Sequence, residues 1–275
     1  MSKPNKVAEN TQGQEKQTEK PGTFLEWKLI AAWEEAGIEE ATHRWPKLTK
    51  KVRNRYLDLL TQLRTGYPLD YLLPYTEICG YRLEIREGVL IPRPETEELI
   101  EIVRRTPEKP LLLVDLGCGS GLIGICLSQE FARVICTDVS SRALAITSRN
   151  LGRNNVTNVT LHRSDLLTAL PQIASEWWLV ANLPYVPLAD KTQAKTFKTT
   201  YEPDLAIYSG TDGLELFRRL VTQLKRLPHP PQRLFFELDP RNIRLAQDEL
   251  NNSGLFGIEV IRDLENRERF LVAST

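Results

Sequence analysis

Val114-Asp115-Leu116-Gly117-Cys118-Gly119-Ser120-Gly121 carries an apolar strand directly into a turn with glycine at every second position. Leu122 to Glu130 follows with a helical pattern, and a strand, glycine turn and helix in that order suit a cofactor bearing a nucleoside. The spacing Gly119-Ser120-Gly121-Leu122-Ile123-Gly124 also satisfies G-x-G-x-x-G. Asp138 lies at the distance expected of a ribose-binding acid, so a nicotinamide-dependent dehydrogenase is a legitimate rival. Both kinds of cofactor carry a ribose diol, and Asp138 does not separate them. Two features favour a cofactor with a cationic amino acid end. Asp115, just before the turn, would attract that end and repel a pyrophosphate. Asp165-Leu166, after a later strand, can take an adenine amino group and cover the ring, although Asp165 reads equally well as the N-cap of a helix over Leu166 to Leu170.

Outward from this turn, the chain alternates regularly. Apolar strands are predicted at Leu111–Leu116, Val134–Thr137, Val159–His162, Trp178–Asn182 and Leu234–Leu238. Helical patterns fall at Leu122–Glu130, Ser141–Leu151, Gly213–Leu227 and Pro240–Leu250. Continuous apolar strands separated by helices predict a parallel, doubly wound sheet covered on both faces. Gly257–Arg262 and Phe270–Ala273 are joined by a loop too short for a parallel crossover, so they pair antiparallel. That ending predicts a class I S-adenosylmethionine-dependent methyltransferase: a Rossmann-like doubly wound α/β sheet with an antiparallel last strand.

Toward the N-terminus, residues 1–22 are polar and are expected to be a disordered tail. Residues 23–74 form a small helical domain, with one apolar stripe of Leu25, Leu29, Ile30 and Trp33 and another of Leu48, Val52, Tyr56, Leu59, Leu60 and Leu63. A short third helix is predicted near Ile38 to His43. Residues 75–92, alternating weakly around Gly80 and Gly88, are read as a β-hairpin linker, and residues 93–275 as the methyltransferase domain. Pro92-Arg93-Pro94-Glu95-Thr96-Glu97 opens a helix through Arg105, because proline and acidic residues suit a first turn.

Asn182-Leu183-Pro184-Tyr185 ends the apolar run from Trp177. On its own it is an ordinary strand-end turn, since Asn and Pro are turn formers. Placed after a cofactor turn, it reads as a clamp for a planar nitrogen. The Asn182 carboxamide oxygen and the Leu183 carbonyl can each accept one N–H, Pro184 fixes the backbone, and Tyr185 can stack on the amide plane. Together, the two motifs point to methyl transfer to nitrogen.

The 275 residues carry 36 Lys plus Arg against 36 Asp plus Glu, so no global positive field exists to hold a nucleic acid backbone. Four cysteines show no C-x-x-C pair and fit a reducing cytoplasm. His43, His162 and His229 lack ligand spacing, and no metal is expected. No stretch approaches a membrane span, and the N-terminus lacks the apolar segment of a secretory signal.

At these residues the chain resembles the HemK/PrmC family, the N5-glutamine methyltransferases of peptide chain release factors. The similarity rests on Arg64-x-Gly66-x-Pro68-x-x-Tyr71 with Glu77 and Gly80. It rests also on the string Val89-Leu90-Ile91-Pro92-Arg93-Pro94-Glu95-Thr96-Glu97, on the clamp, and on Tyr201-Glu202-Pro203, Gly210, Asp212-Gly213-Leu214 and Glu237. The resemblance implies S-adenosyl-L-methionine as cofactor, at Gly117, Cys118, Gly119, Ser120, Gly121, Asp138, Asp165, Leu166 and Asn182. It implies Asn182, Leu183, Pro184 and Tyr185 as the substrate-glutamine clamp. It further implies bacterial class-1 release factors as the acceptor, docked by the helical domain; separately, a monomer without membrane or direct nucleic acid contact is expected. The chain departs from the family at Leu183, where proline is usual, at Pro74 and Ile78, and at Leu166, where an aromatic cover is common. The alternatives are an N6-adenine methyltransferase acting on nucleic acid, a ribosomal protein glutamine methyltransferase, and a non-catalytic module that kept the fold.

Overall fold

The computed structural model describes residues 23–35, 50–192, 200–254 and 257–274. The expected tail over residues 1–22 and the helix near Ile38 to His43 lie outside them. The chain divides into two compact units, residues 1–72 and 73–275.

In the first unit, α1 (Phe24–Glu35) carries the first predicted stripe and α2 (Lys50–Arg64) the part of the second from Tyr56 to Leu63, Leu48 lying outside the described residues; the single turn α3 (Leu69–Leu72) follows. Ile30, Tyr56 and Leu60 bury one another in a small core, with Trp33 packed alongside. Leu25, predicted for the inner stripe, stands half-exposed instead. Glu26 is buried and caps its own helix start by accepting the Thr23 N–H, while Arg64 of α2 donates to its other oxygen at 2.5 Å. The Trp33 indole donates to the Leu72 carbonyl at 2.9 Å.

The second unit opens with β1 (Thr76–Ile78) and β2 (Tyr81–Leu83), an antiparallel hairpin. Its two turn residues, Cys79 and Gly80, both have positive φ (51° and 79°), the backbone of a tight turn that follows strand twist. The hairpin is bonded to α6 (Ser141–Arg153): Asn150 and Asn154 exchange hydrogen bonds with the backbone of Glu84 and Arg82. This segment, read from sequence as a linker, is therefore stitched into the second unit.

The remaining elements are α4 (Pro94–Arg105), β3 (Leu112–Leu116), α5 (Leu122–Cys126), β4 (Arg133–Asp138), β5 (Val159–Arg163), β6 (Trp177–Ala181), α7 (Glu215–Leu224), β7 (Arg233–Glu237), α8 (Ile243–Asn251), β8 (Gly257–Arg262) and β9 (Glu268–Ser274). The sheet order is β5-β4-β3-β6-β7-β9-β8. The first five strands are parallel, while β9 runs antiparallel to both β7 and β8, as the short connection required. All five residues of β3 and of β6 are buried, which explains why both read as apolar runs, broken only at Asp115. Each such Leu or Val side chain contributes about 1.5–3 kcal/mol on leaving water.

Two predicted helices differ. The helix after the glycine turn ends at Cys126 rather than Glu130, where the Ser128 hydroxyl bonds back to the Ile125 carbonyl and competes with the helix ladder. Leu166 to Leu170 forms a turn, because Leu166 takes φ 53°, a value no helix continues through. Among the described residues, no helix is long and apolar enough to cross a membrane.

Candidate active site

The chain leaves β3 toward β4 and β5 on one side, and β6 leads to β7 on the other. The crevice at the carboxyl ends of β3 and β6 is thus the switch point of the sheet, where doubly wound folds bind ligands. Register pairs Leu116 with Ala181, so Gly117 and Asn182 emerge side by side. A cavity of about 390 Å³ opens there, within the range of small-molecule sites.

Its floor is the glycine turn, with Gly117, Cys118, Gly119 and Ser120 on its wall. Gly119 has φ 56°, and a Cβ there would meet nothing within 4 Å, so its open side faces the space a ligand would use. Gly117, at φ 75°, leaves room for the clamp: a Cβ would lie 2.9 Å from Leu183 Cδ2. The cofactor turn and the clamp are thus in contact. Gly121 sits just behind, where it caps α5 at φ 82°.

Asp138 lines the cavity at the end of β4. Its Oδ2 accepts the Gly119 N–H at 3.0 Å and its Oδ1 accepts the Ser140 N–H at 2.8 Å, so its carboxylate is locked to the turn. Burial raises its pKa above the ordinary carboxylate value, with these N–H donors opposing the shift. Asp165 and Leu166 line the far end. With no helix to cap, the Asp165 carboxylate instead pairs with Arg219 at 2.5 Å, while Leu166 presents a buried apolar face.

Asp115 is a correction. It is fully buried and absent from the cavity wall. Its Oδ2 accepts the Gly124 N–H at 2.8 Å beneath the start of α5, with the Cys136 thiol 3.7 Å away. Burial pushes its carboxyl up to about 7. It braces the glycine turn from below rather than meeting a cofactor's cationic end. Strand alternation accounts for this, because Asp115 faces the opposite side of the sheet from its cavity-lining neighbour Leu116.

Asn182, Leu183 and Pro184 line the cavity. The Asn182 amide nitrogen donates to Glu237 Oε2 at 2.9 Å and to Thr96 Oγ1 at 3.0 Å. Thr96 in turn donates to the same Glu237 oxygen at 2.8 Å, and the Tyr185 hydroxyl donates to Glu237 Oε1 at 3.0 Å. A carboxylate only accepts, so it fixes which end of the carboxamide faces it. Asn182 Oδ1 is left as the acceptor end, and among the described residues no donor reaches it. Tyr185, next to Pro184 and half-buried, is fixed by its hydroxyl on Glu237. Its backbone carbonyl is held by Asn242 at 2.9 Å, beneath Gly213, where a Cβ would come within 2.1 Å of that oxygen.

Thr96 and Glu237, which the sequence reading named only as carriers of the resemblance and gave no role in the site, are the partners of the Asn182 carboxamide. Their signal was present, since a carboxylate within Leu234-Phe235-Phe236-Glu237-Leu238 is costly to bury unless partners await it. Glu202 belongs with them. It is buried, accepts the Ile91 N–H at 2.8 Å and pairs with Arg93 at 2.6 Å, which ties the 88–93 segment to the 200–206 segment above the cavity. Among the described residues, no group of His, Cys, Asp and Glu has the arrangement of a metal site.

The walls fit S-adenosylmethionine: an open glycine turn for close backbone approach, an immobilised carboxylate for a diol, an apolar cover, and a polar slot at the opposite end. Fold and site define a class I S-adenosylmethionine-dependent methyltransferase. Residues 96–197 match the family described as Methyltransferase small domain. A release factor glutamine methyltransferase of Bacteroides thetaiotaomicron is 33% identical over 226 residues, covering 79% of this chain and 79% of its own. The protein of the same name from Deinococcus radiodurans is also 33% identical, over 89% of this chain and 84% of its own. The chain belongs to the release factor glutamine methyltransferase family. In fold, it resembles the E. cuniculi Mtq2–Trm112 complex responsible for methylation of the eRF1 termination factor (TM-score 0.50, 21% identity, 68% of this chain and 98% of that one). It also resembles the hMettl16 catalytic domain bound to a MAT2A hairpin (TM-score 0.57, 15% identity, 79% and 80%).

Proposed function

We propose that this protein methylates the side-chain amide nitrogen of the glutamine in the Gly-Gly-Gln loop of class-1 peptide chain release factors, in the cytoplasm. S-adenosylmethionine supplies an electrophilic methyl group. The chain supplies position. A glutamine amide nitrogen is a poor nucleophile because its lone pair is delocalised into the carbonyl, and no side chain in the cavity is basic enough to deprotonate it first. Asn182 Oδ1 and the Leu183 carbonyl each accept one N–H in this reading, which holds the nitrogen in a fixed plane and shifts electron density onto it; as the carbon–nitrogen bond forms the methyl–sulfur bond breaks, a neutral thioether leaves, and the nitrogen sheds one N–H proton to water. Each bond contributes about 0.5–1.5 kcal/mol, and orientation contributes several kcal/mol more, on the order of the cost of lost rotational freedom. Pro184 holds the loop backbone, and Gly117 brings the clamp against the cofactor turn. Gly117 to Gly121, Asp138, Asp165 and Leu166 hold the cofactor, with Asp138 taking the ribose and Leu166 covering the adenine.

The observation that carries this reading is the Asn182 carboxamide held by Glu237 and Thr96 with its oxygen left as the acceptor, on the wall of the same cavity as the glycine turn. Family membership supports the choice of acceptor, since the relatives are named for release factor glutamine. The test is incubation with methyl-labelled S-adenosylmethionine and a class-1 release factor, followed by mass spectrometry of the Gly-Gly-Gln peptide. Label on that glutamine is the expected result. Label on RNA in a parallel incubation, with none on the release factor, would replace the reading with adenine methylation.

A further inference from the structure

We propose that Glu237, in its ionised form, is a positioning residue that both orients and polarises the Asn182 carboxamide, strengthening its oxygen as an acceptor for the N–H of the nitrogen being methylated. This inference rests on the methyl-transfer reading above.

Glu237 ends β7, one strand away from the clamp, and is 1% exposed. A carboxylate buried to that degree without partners would be strongly unfavourable. Here, every donor it faces belongs to the clamp or its support: the Asn182 amide and Thr96 hydroxyl on one oxygen, the Tyr185 hydroxyl on the other. A bond to an ionised acceptor is roughly twice as strong as a neutral one, and bonds in series polarise one another. Negative charge 2.9 Å behind the amide nitrogen therefore draws its protons inward and leaves more electron density on Oδ1, on the cavity side. The chain of effect runs from carboxylate to carboxamide to the substrate N–H, with no proton transferred.

The surroundings define the charge state. Burial raises the Glu237 pKa above the ordinary carboxylate value, and the Thr96 and Tyr185 bonds oppose that shift. Arg269 on β9 favours the ionised form and Glu95 on α4 disfavours it. The Tyr185 hydroxyl is held well above the usual phenol range by its own burial, ahead of the carboxylate beside it, so it remains a donor throughout. Arg269 is fixed nearby by donating to the Leu238 carbonyl at 3.0 Å.

Glu237→Gln in the full-length protein separates charge from geometry. Glutamine has the same shape, its oxygen can serve Asn182 and Thr96, and the Tyr185 hydroxyl can rotate to accept from its NH₂. Every bond survives and only the charge is lost. The expected result is a fall in kcat of about tenfold on a release factor acceptor, with KM and the S-adenosylmethionine Kd by calorimetry changed by less than about threefold. The acid limb of the kcat–pH profile, set in the wild type by Glu237 taking up a proton, is expected to disappear. Glu237→Leu, which also removes the acceptor and frees the carboxamide to rotate, is expected to cost about a hundredfold or more. A Glu237→Gln enzyme with wild-type kcat and an unchanged acid limb overturns the inference while leaving the methyl-transfer reading intact. Absence of transfer by the wild-type protein overturns both. Should Glu237→Leu fail to fold, the glutamine variant alone decides.

Discussion

The two sides of the cavity are built in different ways. The cofactor side is almost wholly local: β3, a turn of alternating glycines and α5 follow one another without a break, and Asp138 joins them by accepting two backbone N–H groups. The clamp side is assembled from afar. Asn182 follows β6, Thr96 comes from the first turn of α4 and Glu237 from the end of β7, and neither partner lies near the clamp in sequence. A site made of backbone conformation is written as a motif. A site made of side-chain partners is held by the sheet order, which alone brings β6 and β7 together.

Mutations that strike one side and spare the other break this contrast most directly. Asn182→Ala removes the acceptor and the orientation it gives. It is expected to lower kcat by about 10²–10³-fold, while calorimetry shows S-adenosylmethionine binding weakened far less. Equal loss in both measurements would place Asn182 on the cofactor side instead.

Asp115 tests the bracing of the local side. Its carboxyl is shifted from 3.8 to about 7, so between those values the native state holds a proton that the unfolded chain has released. The contribution is present at low pH and is lost as pH rises toward 7, by on the order of 4 kcal/mol at most. Asp115→Asn keeps an oxygen for the Gly124 N–H and removes the titration. The stability difference between variant and wild type, read from urea melts, is therefore expected to grow in the variant's favour from pH 4 to pH 7.

Arg93→Ala probes the tie above the cavity. It leaves the buried Glu202 carboxylate with the Ile91 N–H as its remaining partner among the bonds described, and it is expected to cost about 2–3 kcal/mol in urea unfolding. Gly119→Ala is the mildest. The methyl group meets no atom of the chain within 4 Å, so its cost to folding is the left-handed backbone alone, about 1–2 kcal/mol. It also projects into the space a ligand would use, so the cofactor Kd is expected to rise about tenfold or more by calorimetry. An unchanged Kd would show that the cofactor does not approach Gly119.

The legibility of the molecule follows the same division. The buried strands were readable because β6 is apolar at every position and β3 at every position but Asp115, and the antiparallel ending because the five residues between β8 and β9 cannot cross a sheet. Gly117, Cys118, Gly119, Ser120, Asp138 and the Asn182-Leu183-Pro184 stretch all stand on the cavity wall. Asp115 misled because its charge was legible and its direction was not; a strand residue faces one side or the other, and only the packed sheet settles which side is the crevice. Tyr185 was legible as an aromatic ring beside the clamp, but not as the donor that a buried carboxylate one strand away requires.

By itself, the sequence determined the layered sheet, the cofactor turn and the order of the motifs along the chain, because hydrophobic period, chain length between strands and glycine's backbone freedom act over short distances. The polarity of the clamp was decided only by tertiary structure. An asparagine carboxamide has two nearly equivalent ends, and nothing in its neighbours along the chain chooses between them. Glu237, brought beneath it by the β6–β7 pairing, makes that choice because a buried carboxylate accepts hydrogen bonds and cannot donate them.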